Sequence, residues 1–340
     1  MSEARAMPPV GALFGIATLA AVPFAGLGNY HLHLLINILI WGFIYTAWSV
    51  MGRFGMVSLG HGAFLGVGAY VATLLWNTVG LTPWLGIPIA LAIATLLALV
   101  IGYPCFRFRI VGHYFALVTL ALGEVVRLTI VALREHTGGS LGMTVEGVAG
   151  GTSLLALQFG ERSTFFYVAL LVWLSGLWVW RIVDRSMLRY ALEAASEDED
   201  ASASIGVNVT RAKLAITALS AAMTALGGAL YAQYQLYINP ETVSGIGISL
   251  QIVFAVIAGG MYVQLGPTVG AVITLLLAET LRVTLGHDVH GLDGTIYGLL
   301  LVLFIIYMPQ GISGYVVAAW RRRRAGGPPQ APVPRGAPAG

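Results

Sequence analysis

Two long stretches without a single charged residue constrain this chain more than any other feature of its sequence. Residues 6–52 and 54–106 contain no Asp, Glu, Lys or Arg. Shorter uncharged runs cover residues 163–180, 214–240, 242–278 and 294–320. A helix needs about 20 mainly apolar residues to cross a bilayer, so each long stretch has room for two crossings.

The composition supports the same conclusion. Charged residues form 10% of the chain, against about 25% in soluble proteins, and the mean hydropathy is +0.82. These values exclude a soluble enzyme, a disordered chain and a nucleic-acid-binding protein, so we expect membrane lipids as partners and no nucleic acid.

Gly, Pro and polar residues divide the uncharged runs into separate helices. The sequence therefore predicts an all-α polytopic membrane protein with about ten transmembrane helices in a domain over residues 10–314. The predicted helices cover residues 10–27, 31–50, 56–76, 83–105, 114–133, 164–183, 213–236, 246–262, 267–284 and 293–312. Residues 1–9 form a short N-terminus, and residues 315–340 form a basic, then Pro/Gly/Ala-rich tail that is predicted to be disordered.

Basic residues fall mainly on one side of this predicted topology. The positive-inside rule assigns that side to the cytoplasm, and an even number of helices then places both termini there. The predicted cytoplasmic residues are Arg5, Arg53, Arg107, Arg109, Arg181, Arg185, Arg189, Arg211, Lys213 and the arginines at 321–324. The opposite side has mainly Arg134, Arg162 and Arg282.

Sequence motifs of enzymes are absent. Lys213 is the only lysine and does not follow a G-x-x-x-x-G motif, so the chain has no phosphate-binding loop and cannot hydrolyse ATP itself. No catalytic residue, cofactor or metal is therefore predicted for this chain. One group of residues resembles a metal site: His287, Asp288 and His290. They form either an ordinary polar loop or part of a zinc site that lacks a further ligand.

Polar residues inside the predicted helices are candidates for a translocation path. Glu124 and Arg127 lie one helical turn apart, and Glu279 and Arg282 repeat this spacing at an offset of 155 residues, which is either an internal repeat or chance. Such pairs either hold helices together or line a path for a polar substrate. The path candidates are Asn37, His61, Glu124, Arg127, Gln251, Glu279 and Tyr297.

The segment at residues 185–212, between the predicted sixth and seventh helices, is the longest predicted cytoplasmic loop. It is rich in Ala and charged residues and reaches Gly206, a residue suited to ending a helix. We hypothesise a helix over residues 188–206 that couples the chain to an external energy source; a solvated acidic loop is the alternative.

Several motifs in this chain, in order from about residue 45 to 314, resemble the M-type permease subunits of branched-chain amino-acid ABC importers. The acidic cytoplasmic segment resembles their ATPase-coupling loop. The other similar segments are residues 56–70, 112–120 with Glu124 and Arg127, 137–142, 227–234, 239–241, 296–298 and 309–311. One segment departs from the family pattern: residues 261–265 stand where Gly and Ser are usual, before Gly266-Pro267.

The resemblance implies an ABC-importer permease bundle in the bacterial inner membrane. It implies four kinds of partner: a second homologous permease, two cytoplasmic ATPases that bind ATP and Mg²⁺, and an extracytoplasmic substrate-binding protein. The external loop at residues 134–163 is the candidate docking surface for that protein. The implied ATPase-coupling residues are Glu193, Ala194, Ala195, Glu197, Asp198, Glu199, Asp200 and Gly206. An ion-coupled carrier of small polar solutes, or an importer of urea or short amides, stays open as an alternative.

Overall fold

The computed structural model describes residues 28–148 and 152–285, together with residues 15, 17–26, 296, 298–300, 302, 303 and 311–315. Within these residues, eight helical segments are long and apolar enough to cross a membrane, with Pro240–Gly259 counted as one. The main helices are α1 (Asn29–Gly52), α2 (His61–Val79), α3 (Pro83–Arg107), α4 (His113–Ala132), α5 (Arg162–Arg185), α6 (Met187–Glu197), α7 (Glu199–Ser204), α8 (Val209–Gln235), α9 (Ile246–Gly259) and α10 (Gly266–Leu285). Helices α6 and α7 are not among the candidate membrane spans.

The prediction of an all-α polytopic membrane protein is confirmed. The predicted helix at 10–27 is described at residues 15 and 17–26, and the predicted helix at 293–312 is described at only eight residues. The ends of the chain lie outside the described residues, so the count of ten and the placement of the termini stay predictions. Short elements complete the described part. They are 3-10 helices at Val22–Ala25 and Gly139–Leu141, one-turn helices at Arg134–Thr137 and Pro240–Val243, and a two-stranded antiparallel pair, β1 (Met143–Thr144) with β2 (Tyr237–Ile238).

Helix α1 forms the centre of the bundle. Its sequence is apolar on every side, as expected of a helix surrounded by protein, and Ile44, Tyr45 and Trp48 are fully buried. Helix α3 lies at the periphery, where Ala90, Ala94 and Ala98 recur at helical spacing and pack inward.

Helices α2 and α8 touch through their backbones. A β-carbon added to Gly68 on α2 would overlap the carbonyl oxygen of Ala225, and one added to Gly228 on α8 would overlap that of Leu65. Glycine at both positions is what permits this approach.

Helix α2 begins in the interior of the bundle rather than at its surface. Its first residue, His61, lies 2.8 Å from the hydroxyl of Ser220, which is near the middle of α8. The helix was predicted to begin at residue 56, but the backbone before it bonds to neighbouring helices instead. The indole of Trp48 donates to the carbonyl of Ser58 at 2.8 Å, and the N–H of Leu59 donates to the hydroxyl of Thr119 at 3.0 Å.

Helix α9 begins at the same depth. The N–H of Gly62 donates to the hydroxyl of Ser249 at 3.0 Å, and a β-carbon at Gly62 would lie 3.2 Å from the carbonyl oxygen of Gly245. Within a membrane, non-helical backbone such as residues 236–239 and 244–245 is stable only where protein or water satisfies its polar groups. The interior therefore contains two helix beginnings at about half depth.

Two ends of the bundle can be distinguished. Arg53, Arg107, Arg109, Arg185 and Lys213 lie at one end, which we call the arginine-rich end. The other is called the opposite end, where the loop that follows α4 is ordered by hydrogen bonds. Trp76 donates to the carbonyl of Glu146 at 2.9 Å, and Asn77 donates to that of Thr144 at 2.8 Å.

Candidate translocation site and coupling segment

A cluster of three charged side chains joins α4 to the turn before α9. The Nε of Arg127 donates to both carboxylate oxygens of Glu124 at 3.0 and 3.1 Å. Its Nη1 donates to Glu241 at 2.7 Å. We call Glu124, Arg127 and Glu241 the charged triad. The pair was predicted; Glu241 was not among the predicted site residues and appeared only within the similar segment at 239–241.

The charged triad lies within the membrane-crossing part of the bundle. A β-carbon at Gly123 would lie 3.8 Å from the carbonyl oxygen of Leu59, next to the buried start of α2. Arg127 is one turn further along α4, about 6 Å toward the opposite end. The side chains of Glu124, Arg127 and Glu241 are 31%, 23% and 71% exposed in the isolated chain. Charges at this depth are too costly to face lipid tails, so the triad faces water or another protein.

The second predicted pair also forms, in a different environment. Arg282 Nη2 donates to Glu279 at 3.3 Å, and the hydroxyl of Tyr30 donates to the same carboxylate at 2.8 Å. This pair lies at the opposite end, where Arg282 is well exposed. Each pair lies within one helix and reaches a second element through a third residue, Glu241 or Tyr30. The 155-residue repeat stays a prediction.

His61 is a fully buried hydrogen-bonding group. Ser220 donates its hydroxyl proton to the carbonyl of Ala47 at 2.7 Å, so it accepts from His61, and we assign the imidazole proton to Nε2. The other nitrogen lies 3.3 Å from the hydroxyl of Ser58. In this conformation His61 joins α1, α2 and α8 and reaches no open space.

The weaker path candidates differ in their surroundings. Asn37 donates to the carbonyl of His33 at 2.9 Å and accepts from Gln235 at 3.2 Å, and His33 lies 2.6 Å from the hydroxyl of Tyr234. Asn37 thus forms an interhelical hydrogen bond between α1 and α8, which is the alternative to a place on the path.

Gln251 donates to the buried hydroxyl of Tyr45 at 3.0 Å. Tyr297 and the loop with His287, Asp288 and His290 lie outside the described residues. Among the residues that the structure does describe, no group of three His, Cys, Asp or Glu is placed to hold a metal ion.

The predicted coupling segment contains two helices rather than one over 188–206. The break is at Asp198, whose carboxylate accepts from the N–H groups of Asp200 and Ala201, both at 2.9 Å, and so caps α7. Aspartate is favoured at this position because it satisfies backbone donors that lack a helical partner. Gly206 follows α7 with a φ of 92°, a conformation that favours glycine.

Three of the four consecutive acidic residues at 197–200 are engaged within the chain itself. Besides the cap at Asp198, Glu199 pairs with the buried Lys213, and Asp200 lies 2.6 Å from Arg109. Glu197 has no ion pair or hydrogen bond among the described residues. The acidic run therefore shapes the segment as much as it offers charge to a partner.

Three large apolar side chains of the coupling segment are exposed, next to acidic and other polar residues. Met187, Tyr190 and Ile205 are 83%, 60% and 78% exposed. The opposite side of α6 packs inward through Leu192 and Ala195, while Glu193 and Ala194 are partly buried. Because this segment connects the ends of two crossing helices, its exposed side faces water rather than lipid. Large apolar side chains in water mark a docking surface.

Lys213→Met is expected to destabilise the arginine-rich end more than Arg109→Met does. Removing Lys213 leaves Glu199 without its partner in a largely buried position, at a cost of about 3 kcal/mol. The pair of Arg109 and Asp200 is 62% and 75% exposed, so its loss costs less than about 1 kcal/mol. Thermal unfolding in mild detergent compares the two variants, and equal shifts of the midpoint would contradict the assignment.

These features define a class of protein before any comparison is made. Crossing helices that surround buried polar groups, with charged side chains and two helix beginnings inside the membrane, are typical of a membrane transport protein. The chain belongs to the family described as branched-chain amino acid transport system / permease component, which matches residues 30–308. The predicted resemblance is thereby confirmed.

Individual relatives agree with the family assignment. The chain is 33% identical over 283 residues to the high-affinity branched-chain amino acid transport system permease protein LivM of Salmonella typhimurium, and the same figures hold for LivM of Escherichia coli. Each match covers 77% of this chain and 65% of the relative's length. The permease protein LivH of Salmonella typhimurium is 24% identical over 275 residues, which cover 78% of this chain and 88% of LivH. No solved structure matches the chain.

Proposed function

We propose that this chain is a permease subunit of an ATP-driven, binding-protein-dependent importer of branched-chain amino acids in a bacterial inner membrane. The observation that carries this proposal is the exposure of three large apolar side chains on the coupling segment, Met187, Tyr190 and Ile205. It supplies a docking surface for an ATPase at the end that the positive-inside rule assigns to the cytoplasm. ATP and Mg²⁺ bind to that partner, and this chain catalyses no reaction.

The charged triad supports the second part of the proposal, a path between two permeases. In the isolated chain these charges would face lipid, which a stable membrane protein avoids. A second, homologous permease placed against this surface encloses the triad in a polar path. The chain is similar to both LivM and LivH proteins, which fits pairing between related subunits.

The opposite end of the bundle supplies the contact with the substrate-binding protein. The loop at residues 134–163 is held at Glu146 and Thr144 by hydrogen bonds from Trp76 and Asn77, so its described part offers a shaped surface to a substrate-binding protein. Docking there delivers the amino acid to the outer side of the path. Closure of the ATPases moves the coupling segment and switches access between the two sides.

A docking variant tests the proposal. Tyr190→Asp with Ile205→Asp is expected to reduce co-purification of the ATPase at least tenfold, since each lost apolar contact contributes about 1.5–3 kcal/mol. Val79→Asp is the matched control, because Val79 is 69% exposed at the opposite end. The measurement is retention of candidate ABC ATPase subunits on the tagged chain in mild detergent. Full retention by the double variant, or uptake that follows an ion gradient without any ATPase, contradicts the proposal.

A further inference from the structure

Arg53, the residue that follows α1, is buried in an unusual setting. Its side chain is 7% exposed, and its Nη1 lies 3.1 Å from the carboxylate of Asp184 near the end of α5. The guanidinium stands 4.0 Å from the ring of Trp180 and 4.8 Å from that of Phe54. Burial lowers the pKa of Arg53 to about 10, with Asp184 acting against this shift. Arg53 therefore stays charged at neutral pH and depends on that carboxylate.

The contacts continue from Asp184 into the coupling segment. The second carboxylate oxygen of Asp184 lies 3.4 Å from Nη1 of Arg189 on α6. The Nε of Arg189 in turn donates to Glu193, one turn further along α6, at 2.8 Å. We call Arg53, Asp184, Arg189 and Glu193 the ion strap. Its charges alternate in sign and sum to zero, and Asp184 contacts both arginines.

We propose that the ion strap transmits movement of the coupling segment to α1, with Asp184 as the positioning residue. The inference rests on the proposed function and adds to it the route by which the segment acts. Covalently, the coupling segment is joined to α5 through the turn at Ser186 and to α8 through residues 205–208. The strap adds a direct connection to α1, the most enclosed helix of the bundle, which packs against α5, α8 and α10.

The geometry favours a transmitting role over simple stabilisation. Arg53 uses one guanidinium nitrogen for Asp184, while its Nε and Nη2 are buried without a hydrogen-bond partner among the described residues. Such unpaired donors lower stability, and an apolar side chain in the same place would avoid that cost. An arginine at this place instead links α1 to Asp184, so that α1 moves when Asp184 moves.

Two strap variants and one control test the proposal in the complete transporter. Arg53→Met and Asp184→Asn are each expected to lower the amount of amino acid imported per ATP hydrolysed at least fivefold, with the ATPase still bound. The double variant is expected to be no worse than either single variant, since both break the same link. Arg53→Lys keeps the charge and is expected to fall between wild type and Arg53→Met. Arg107→Met, at an exposed arginine of the same end, is expected to match wild type.

A second measurement on the chain alone separates failure of the strap from failure of the proposed function. A spin label at Ser196, introduced as Ser196→Cys in a Cys105→Ser background, reports on the mobility of α6 without any ATPase. Asp184→Asn is expected to increase that mobility, and Arg107→Met is not. Unchanged mobility, or an unchanged ratio of import to hydrolysis, overturns the strap. A third outcome is that Asp184→Asn increases the mobility of α6 while no ATPase binds to the wild-type chain. The strap would then remain a structural link, but the proposed function and the transmitting role would both be overturned.

Discussion

Arg127→Met is expected to reduce amino-acid uptake by at least tenfold in a chain that still reaches the membrane. Arg127 is the only cation of the charged triad, so its removal leaves Glu124 and Glu241 as two unpaired carboxylates at membrane depth. Loss of one partner from a buried ion pair costs about 3–5 kcal/mol, and the partial exposure of the triad places this case at the lower end. The measurement is uptake of labelled amino acid, normalised to the amount of the chain in the membrane.

The matched control is Arg282→Met. Arg282 makes a similar contact one turn from a glutamate, but its side chain is 70% exposed at the opposite end. Water can replace it, so uptake is expected to stay within about threefold of wild type. Equal losses from Arg127→Met and Arg282→Met would show that the depth of the triad has no special importance.

A neutral triad separates the two roles that the sequence left open. Glu124→Gln, Arg127→Met and Glu241→Gln together remove every charge and so relieve the cost of unpaired carboxylates. If the triad only holds helices together, this triple variant is expected to recover most of the uptake lost in Arg127→Met. If the triad lines the path, the protein recovers its thermal stability while uptake stays low.

Gly68→Ala is expected to lower the stability of the bundle strongly, although it adds only one methyl group. The new β-carbon would overlap the carbonyl oxygen of Ala225, which is backbone and cannot rotate away. Helices α2 and α8 must then separate along the interface that also holds His61. Forcing extra atoms into a packed core costs about 1–3 kcal/mol and occasionally more, so a clear fall in the thermal midpoint in mild detergent is expected.

Gly123→Ala provides the control. Gly123 is also a helical glycine in the membrane, but an added β-carbon there makes only an ordinary contact at 3.8 Å with the carbonyl oxygen of Leu59. Both substitutions make the same change in backbone freedom, so the difference between the two midpoints measures the close approach of α2 and α8. Equal midpoints would mean that the two helices are not in backbone contact.

The positions of the crossing helices could be predicted because they depend on local properties. Uncharged runs and their Gly and Pro boundaries placed α3 and α4 within a few residues of their observed limits. The start of α2 could not be predicted in this way. The residues at 56–60 are compatible with a helix, but Trp48 on α1 and Thr119 on α4 bind their backbone.

The acidic run at 197–200 shows the same limit at the coupling segment. From the sequence, this run belonged either to a coupling helix or to a solvated acidic loop. In the folded chain Asp198 ends one helix and begins another, and Lys213 and Arg109 take two of the carboxylates. None of these partners could be identified from spacing, because each pairing depends on how the ends of α3 and α8 meet the segment.

The sequence by itself determined that this chain crosses a membrane many times, which end is rich in arginine, and to which family it is similar. These properties follow from the cost of placing charge in hydrocarbon, which acts on each segment separately. Only the tertiary structure decided that Arg127 meets Glu241, that Asp184 joins Arg53 to Arg189, and that α2 and α9 begin inside the bundle. Most of those contacts join residues far apart in sequence, and they form because buried charges and backbone groups must find partners wherever the packing of the helices brings them.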